Sequence, residues 1–107
     1  MRIGKVVGTV TLGTIHPSLI GGQLKIVVPF TFHDLAFKGD SAAHSGKRAT
    51  ELVVYDELSA GIGEWIALSE GAEASMPFYP NNKPIDAYAA AILDTVELDQ
   101  EMMDRFK

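Results

Sequence analysis

Apolar and polar residues alternate along the first part of the chain, from residue 2 to residue 12. The apolar side carries Val6, Val10 and Leu12, and the polar side carries Lys5, Thr9 and Thr11. A period of two is typical of a strand with one buried face. Gly4 and Gly8 fall on the apolar side, and glycines at this spacing indicate strong bending or close backbone approach, as at the corners of a small barrel.

The clearest alternation lies in residues 23–30. Leu24, Ile26, Val28 and Phe30 share one face of this second predicted strand, and Gln23, Lys25 and Pro29 share the other. Proline has no N–H to donate to a neighbouring strand. We therefore expect the Pro29 end of the strand to lie at a sheet edge or to leave the sheet.

The middle of the chain predicts two shorter strands, at residues 51–55 and 64–68. Gly61 and Gly63 lie between them and permit backbone angles that are closed to other residues. Residues 33–50 lack sustained periodicity and predict a long exposed loop or irregular hairpin. Prolines and asparagines between residues 70 and 85 predict a non-helical connection.

The last third of the chain is ambiguous by pattern. The alanines in residues 87–98 favour a helix and the β-branched residues among them favour a strand, with a slight lean towards the helix. Beyond this stretch, Leu98, Met102 and Phe106 fall on one helical face with acidic residues between them. This spacing predicts a short C-terminal helix.

About five strongly bent strands with one short C-terminal helix predict a mainly β fold, a small five-stranded β-barrel of the OB type. The length of 107 residues fits a single domain over residues 1–107. No internal repeat and no linker-like stretch divides the sequence.

Charge and cysteine content narrow the classes of function. Nine basic residues against fourteen acidic ones give a net charge of -5, which opposes binding to nucleic-acid phosphates. The absence of cysteine excludes disulfides, thiolate metal sites and cysteine nucleophiles, and permits a reducing compartment. The N-terminal sequence has no apolar stretch long enough for a signal peptide or membrane span, so we expect a cytoplasmic protein.

A search for catalytic chemistry finds no convincing site, and we expect no cofactor, no metal and no enzyme activity. The histidines lack metal-ligand spacing, and the serines lack a nucleophile elbow. The pair Gly61 and Gly63 lacks the third glycine of a dinucleotide fingerprint. The neighbouring carboxylates Asp56 and Glu57 are interpreted as solvated, as are Glu97 and Asp99. The histidines, which we interpret as solvated loop residues, are His16, His33 and His44.

The single tryptophan, Trp65, lies in a predicted strand beside Glu64. An isolated aromatic residue in a strand is usually part of the core, and ligand stacking is the less common alternative. We interpret Trp65 as a core or subunit-interface residue.

Two blocks of sequence resemble the bacterial microcompartment vertex proteins, the EutN/CcmL family. Residues 56–66, DELSAGIGEWI, resemble the family's D-x-V-G-A-G-x-G-E-W-V segment, with Ser59 where glycine is usual. Residues 84–96, PIDAYAAAILDTV, are similar to the family's P-V-D-A-A-V-V-G-I-V-D-x-V segment. Two such blocks in the same order are far more specific than either block alone.

The start of the chain agrees with this resemblance. Residues 3–10, IGKVVGTV, are similar to the family's opening I-x-x-V-x-G-x-V-V-x-T, and residues 18–24 stand where the family has P-x-L-x-G-x-K-L. The chain departs from the family pattern at Gln23, where lysine is customary, and at residues 33–50, where the hairpin is usually shorter. We expect this long segment, with Lys38, Lys47 and Arg48, to contact adjacent shell tiles.

The resemblance implies an OB-like barrel that forms a homo-pentamer and caps the five-fold vertices of a microcompartment shell in the cytoplasm. Its expected partners are hexameric shell proteins, with trimeric ones as further candidates. The resemblance also makes residues 89–96 a strand, against the lean of the pattern. A binding module of the OB type for a small anion or an oligonucleotide is the alternative function.

The resemblance also suggests where subunits meet. We expect a loop near the five-fold axis, where small residues let five backbones converge; its residues are Ser59, Ala60, Gly61, Ile62 and Gly63. The candidate subunit-interface residues are Glu64, Trp65, Met102 and Phe106. The face formed by Leu98, Met102 and Phe106 has two equally weighted alternatives, packing on its own barrel or on a neighbouring subunit.

Overall fold

The computed structural model describes residues 1–36 and 50–105 of the chain. Five strands form a closed barrel in the order β1-β2-β3-β5-β4. They are β1 (Arg2–Val10), β2 (Gln23–Phe30), β3 (Leu52–Asp56), β4 (Trp65–Glu70) and β5 (Ala87–Leu93). Strand neighbours are antiparallel except β3 and β5, which are parallel. The predicted five-stranded barrel of mainly β class is confirmed.

Strand β5 shows why the alanine-rich pattern was misleading. Residues 87–93 form a strand that pairs with β4 along its length, so the lean towards a helix is wrong. The strand that the resemblance implied for residues 89–96 is confirmed for residues 89–93, and residues 94–96 lie beyond its end. Ala87 and Ala89 are fully buried in the barrel core. Small side chains fit a crowded barrel interior, and this packing decides the conformation against intrinsic propensity.

The barrel interior is a small aliphatic core. Its largest members are Val6, Val27, Val54, Ile66 and Leu68, all with no exposed surface. Strand β1 comes so close to β2 that a Cβ added to Gly4 would lie 2.5 Å from Cγ1 of Val27. The close approach predicted for Gly4 is therefore confirmed.

Strand β2 divides its residues between two faces as the sequence predicts, but the more buried face is the polar one. Lys25, Val27 and Pro29 are buried, while Leu24, Ile26 and Val28 are only half-buried on the outside of the barrel. Pro29 lies beyond Val27, the last β2 residue paired with β3. Pairing on one side only is the edge environment that proline tolerates.

Connections between the strands contain short helices that the sequence pattern did not predict, the first being a three-ten helix at Pro17–Leu19. Another three-ten helix spans Gly71–Phe78, so the prediction of a non-helical connection is wrong for these residues. Helix α1 (Phe32–Ala36) begins inside the stretch predicted as an exposed loop. Its start is capped reciprocally, because the Thr31 N–H donates to Asp34 at 2.9 Å and the Asp34 N–H donates to Thr31 at 3.1 Å. Residues 37–49 of that predicted loop lie outside the described residues.

The predicted C-terminal helix is confirmed as α2 (Gln100–Arg105), and it contains no buried residue. None of the helices among residues 1–36 and 50–105 is long and apolar enough to cross a membrane.

Candidate functional site

The loop between β3 and β4 is held by a buried carboxylate. Asp56 is 1% exposed, and its two oxygens accept hydrogen bonds from the N–H groups of Leu58 and Ala60, both at 2.8 Å. Hydrogen bonds to an ionised acceptor are stronger than those between neutral groups. The interpretation of Asp56 as solvated is therefore wrong, whereas its neighbour Glu57 is exposed. Asp56 fixes the conformation of the first half of the loop.

The second half of the loop is tied to β1. The Gly63 N–H donates to the Val6 carbonyl at 2.8 Å, and the Val6 N–H donates to the Glu64 carbonyl at 2.9 Å. The Glu64 side chain accepts a hydrogen bond from the Gly61 N–H at 2.6 Å. Residues 57–64 therefore form a loop that is fixed at both ends.

Two loop residues have left-handed backbone conformations, Ser59 with φ of 61° and Gly63 with φ of 92°. Glycine is required by its backbone angle at Gly63, as predicted, but not at Gly61, where φ is not positive. Glycine would adopt the backbone angle of Ser59 without steric cost, whereas serine has a Cβ that disfavours it.

The loop exposes an apolar tip. Ala60 is fully buried, whereas Ile62 is 71% exposed. Other large apolar side chains are also exposed, such as Ile20 at 68%, so the position of Ile62 at the end of a fixed loop, and not its exposure alone, is what distinguishes it. The tip is a candidate contact for another subunit.

An aromatic surface lies next to the loop, on the outside of the barrel. Trp65 is half-buried and packs on Phe30 with ring centroids 5.0 Å apart. It lies opposite Lys5 of β1 and Leu93 of β5. A groove beside it is lined by Leu35, Trp65, Leu93, Asp94, Thr95 and Val96. We call this groove and Trp65 the tryptophan surface.

A second apolar surface lies on β2 and β3. Ile26 pairs with Val53, which is 52% exposed, and the half-buried Leu24 and Val28 flank Ile26 on the same face of β2. Lys5 of β1 is paired with both Val28 and Trp65, so this surface and the tryptophan surface are neighbours on the outside of the barrel. We call it the β2–β3 surface.

An aromatic cluster attaches the three-ten helix to the barrel. Phe78 packs edge-on against Tyr55 and Tyr88, at centroid distances of 5.9 and 5.3 Å. The Lys83 ammonium lies 4.6 Å from the Phe78 ring centroid and donates to the Ser18 carbonyl. Burial raises the pKa of Tyr55, and the nearby Glu57 carboxylate raises it further.

Tyr88 in the same cluster donates a hydrogen bond to Oε1 of Glu57 at 3.0 Å. Burial raises the pKa of Tyr88, and the hydrogen bond to Glu57 adds to the shift because it favours the protonated phenol. This cluster keeps residues 71–86 against the barrel.

The structure brings together only some of the residues selected from sequence. The loop residues 59–63 are contiguous with Glu64 and Trp65, whereas Met102 lies on α2 and Phe106 lies outside the described residues. Sequence reasoning missed the β2–β3 surface and Asp56. A carboxylate directly before a turn is a recognisable signal, because aspartate often accepts bonds from backbone N–H groups just after it.

The histidines and carboxylates considered as catalytic or metal-binding residues do not come together in one site among the described residues. His16 accepts a hydrogen bond from the Ser18 N–H at 3.1 Å at the start of a three-ten turn, His33 is exposed, and His44 lies outside the described residues. Asp99 caps α2 by accepting from the Met102 N–H at 3.0 Å. Within residues 1–36 and 50–105, no group of three or more histidines and carboxylates could hold a metal ion.

The chain is similar to proteins of microcompartment shells along nearly its whole length. It is 35% identical over 100 residues to the carboxysome shell vertex protein CcmL of Synechococcus elongatus, and the alignment covers 92% of this chain and 89% of CcmL. It is 30% identical over 96 residues to the bacterial microcompartment shell vertex protein PduN of Salmonella typhimurium, and the alignment covers 90% of this chain and 98% of PduN.

A solved structure gives the same relationship in three dimensions. The pentameric microcompartment shell protein GrpN from Rhodospirillum rubrum superposes with a TM-score of 0.69 at 32% identity, covering 92% of this chain and 100% of GrpN. The model of the family described as "Ethanolamine utilisation protein EutN/carboxysome" matches residues 1–94. Fold, sequence blocks and length thus agree, and the chain belongs to the EutN/CcmL family.

Proposed function

We propose that five copies of this chain form a ring that caps the five-fold vertices of a bacterial microcompartment shell. The observation that carries the proposal is the match, over nine-tenths of the chain, to shell vertex proteins and to a pentameric shell protein. The role is structural, and the shell places the protein in the cytoplasm.

Curvature is the physical reason for such a ring. A flat sheet of hexameric tiles closes into a shell only when some six-fold positions become five-fold. A head-to-tail interface that closes after five subunits supplies this change. Hexameric shell proteins are the neighbours this role requires, and trimeric shell proteins are further candidates.

The loop of residues 59–63 is our candidate for the five-fold axis. Its small residues let several backbones approach closely, and its conformation is fixed at both ends by Asp56 and by β1. Ile62 projects from it and would meet its four copies around the axis. A fixed loop presents the same contact in every subunit, as rotational symmetry requires.

The two apolar surfaces are candidates for the subunit interface. A head-to-tail ring requires two different surfaces on each subunit, since one surface of a subunit meets the other surface of the next. We assign these roles to the tryptophan surface, with Glu64 and Trp65, and to the β2–β3 surface, because they are distinct patches carried by different strands, β4 and β5 for the first and β2 and β3 for the second.

Native mass spectrometry of the purified protein tests the ring, with five-fold mass expected over a range of protein concentrations. Co-expression with hexameric shell proteins and electron microscopy tests the vertex role. Closed polyhedra are expected with this chain and open sheets or tubes without it. A monomer at all concentrations would contradict the ring, and equally closed shells without the chain would contradict the capping role.

A further inference from the structure

Helix α2 has the features of a folded helix rather than a fraying end. Asp99 caps its start, and Glu101 pairs with Arg105 at 3.6 Å one turn later. Gln100 donates to Asp104 at 3.3 Å across the same spacing. N-caps and pairs of residues four apart are the local interactions that stabilise helices.

These interactions are too few to keep six residues helical in water. Isolated helices shorter than about 12 residues are marginal, and most helices in proteins depend on packing an apolar face. No residue of α2 is buried, and Met102 is 42% exposed. Met103 and the preceding Leu98 are half-buried, so the apolar face of α2 is covered only in part within its own chain.

The tail that carries α2 is acidic. Between residues 94 and 105 one basic residue, Arg105, stands against five acidic ones: Asp94, Glu97, Asp99, Glu101 and Asp104. A surface that accepts this tail should combine apolar side chains with a positive charge, because complementary charges orient an association.

The outer face of β2 next to β1 has this combination. Lys5 of β1 lies directly opposite Val28, and the half-buried Ile26 is the next β2 residue on the same face. This face continues into the exposed Val53 of β3 and forms part of the β2–β3 surface.

We propose that α2 of each subunit crosses the subunit boundary and packs on the outer face of β2 in the next subunit. Leu98 and Met102 contact Ile26 and Val28 there, and the acidic residues of the tail lie towards Lys5. The inference rests on the proposed ring, in which a second copy is always adjacent. The tail with α2 follows the part of the chain, residues 1–94, that the family model matches.

Disulfide trapping tests this contact cleanly because the chain contains no cysteine. The double variant Met102→Cys, Ile26→Cys would carry only two thiols per subunit. On mild oxidation we expect a ladder of covalent oligomers up to five chains on a non-reducing gel, which collapses to one band with reductant. The matched control is Met102→Cys with Met76→Cys, since Met76 is also exposed, and it should give no ladder.

Each other outcome of the trapping has a defined meaning. An internal disulfide in a single chain would show that α2 folds back on its own barrel and would overturn the inference. A ring without crosslinks would overturn the inference and leave the proposed function intact. A monomer by native mass spectrometry before oxidation would overturn both.

A charge substitution gives a second test that does not depend on thiols. For Met102→Asp we expect the protein concentration at which half of the rings have dissociated to be about tenfold higher than for the unmodified chain. The reason is that the substitution removes one methionine from each proposed interface. Met76→Asp, the matched change at an exposed methionine, should leave dissociation unchanged. Circular dichroism of both variants reports whether the barrel is folded, and equal dissociation of folded Met102→Asp and the unmodified chain would overturn the inference.

Discussion

Ser59 shows how one residue can carry a stored conformational cost. Its φ of 61° lies in the left-handed region, which costs a residue with a Cβ about 1–2 kcal/mol. The neighbouring Ala60 is buried and bonded to Asp56, so the loop holds Ser59 in place. The cost at Ser59 is thus offset by contacts of the residues around it.

Replacing this residue by glycine should stabilise the protein. For Ser59→Gly we expect the free energy of unfolding to rise by about 0.5–1 kcal/mol, because the gain from removing the strain exceeds the added chain entropy of glycine. Urea unfolding at one fixed protein concentration measures the change. The control Gly63→Ala, at a φ of 92° with open space around the added Cβ, should lower stability. A destabilised Ser59→Gly would contradict the strain.

Sequence reasoning at this scale was right where steric rules decide and wrong where burial decides. Gly63 was identified because positive φ is a property of glycine itself. Asp56 was misread because a carboxylate is normally solvated, and its burial depends on two loop N–H groups that only the fold brings to it. Gly61 was also misread: it was selected as a turn glycine, but its backbone angle is not positive and does not require glycine.

At the scale of elements, β1 and β2 meet at a distance that only glycine permits. For Gly4→Ala we expect a loss of about 1–3 kcal/mol in the free energy of unfolding, because the added methyl group would overlap Val27 and the strands would have to move apart. Urea unfolding measures this loss. Gly13→Ala is the matched control, since nothing lies within 4 Å of a Cβ added there. Equal stability of the two variants would show that β1 and β2 can separate freely.

The attachment of the three-ten helix should respond to alkaline pH. The folded-state pKa of Tyr88 is raised above its model-peptide value of 10.0, so its contribution to stability is complete below that pH and is lost as pH rises through the folded-state pKa. We expect the unfolding free energy of the unmodified chain to fall more steeply above pH 10.0 than that of Tyr88→Phe, which cannot ionise.

The comparison requires urea unfolding at a series of pH values from neutral to about pH 11. Tyr79→Phe is the control, because Tyr79 is exposed and lies outside the aromatic cluster. Identical pH profiles for Tyr88→Phe and the unmodified chain would mean that the phenol does not contribute to the attachment.

The alternation in β1 and β2 located both strands well, because a period of two is a property of any strand. It could not say which face of β2 is inside. Lys25 and Pro29 occupy the interior side, where they are buried, and the apolar row of Ile26 and Val28 is outside. Hydrophobic periodicity shows that the two faces of a strand differ, and it does not say which face is buried within one subunit.

At the scale of the whole molecule, the loop position can be tested through charge. If Ile62 lies near the five-fold axis, Ile62→Glu would bring five carboxylates together there. At low salt we expect the variant ring to dissociate at a protein concentration at least about tenfold higher than that of the unmodified ring. High salt should restore part of the ring's stability, because salt screens repulsion between exposed charges. Analytical ultracentrifugation at two salt concentrations measures both effects.

Asn82→Glu is the control for net charge, since Asn82 is exposed on the connection before β5. It adds the same charge to each subunit away from the loop and should leave the ring unchanged. A ring equally stable in Ile62→Glu would place the loop away from the axis.

The outward apolar row of β2 also bears on how much of this protein a cell can keep. A copy made in excess of its ring partners leaves Ile26, Val28 and Val53 facing water, the kind of surface that attracts chaperones and promotes aggregation. Vertices are few in a shell compared with facets, so surplus copies would have no place to go. We expect unassembled chains to be degraded faster than assembled ones, so that the number of chains stays close to the number of vertex positions.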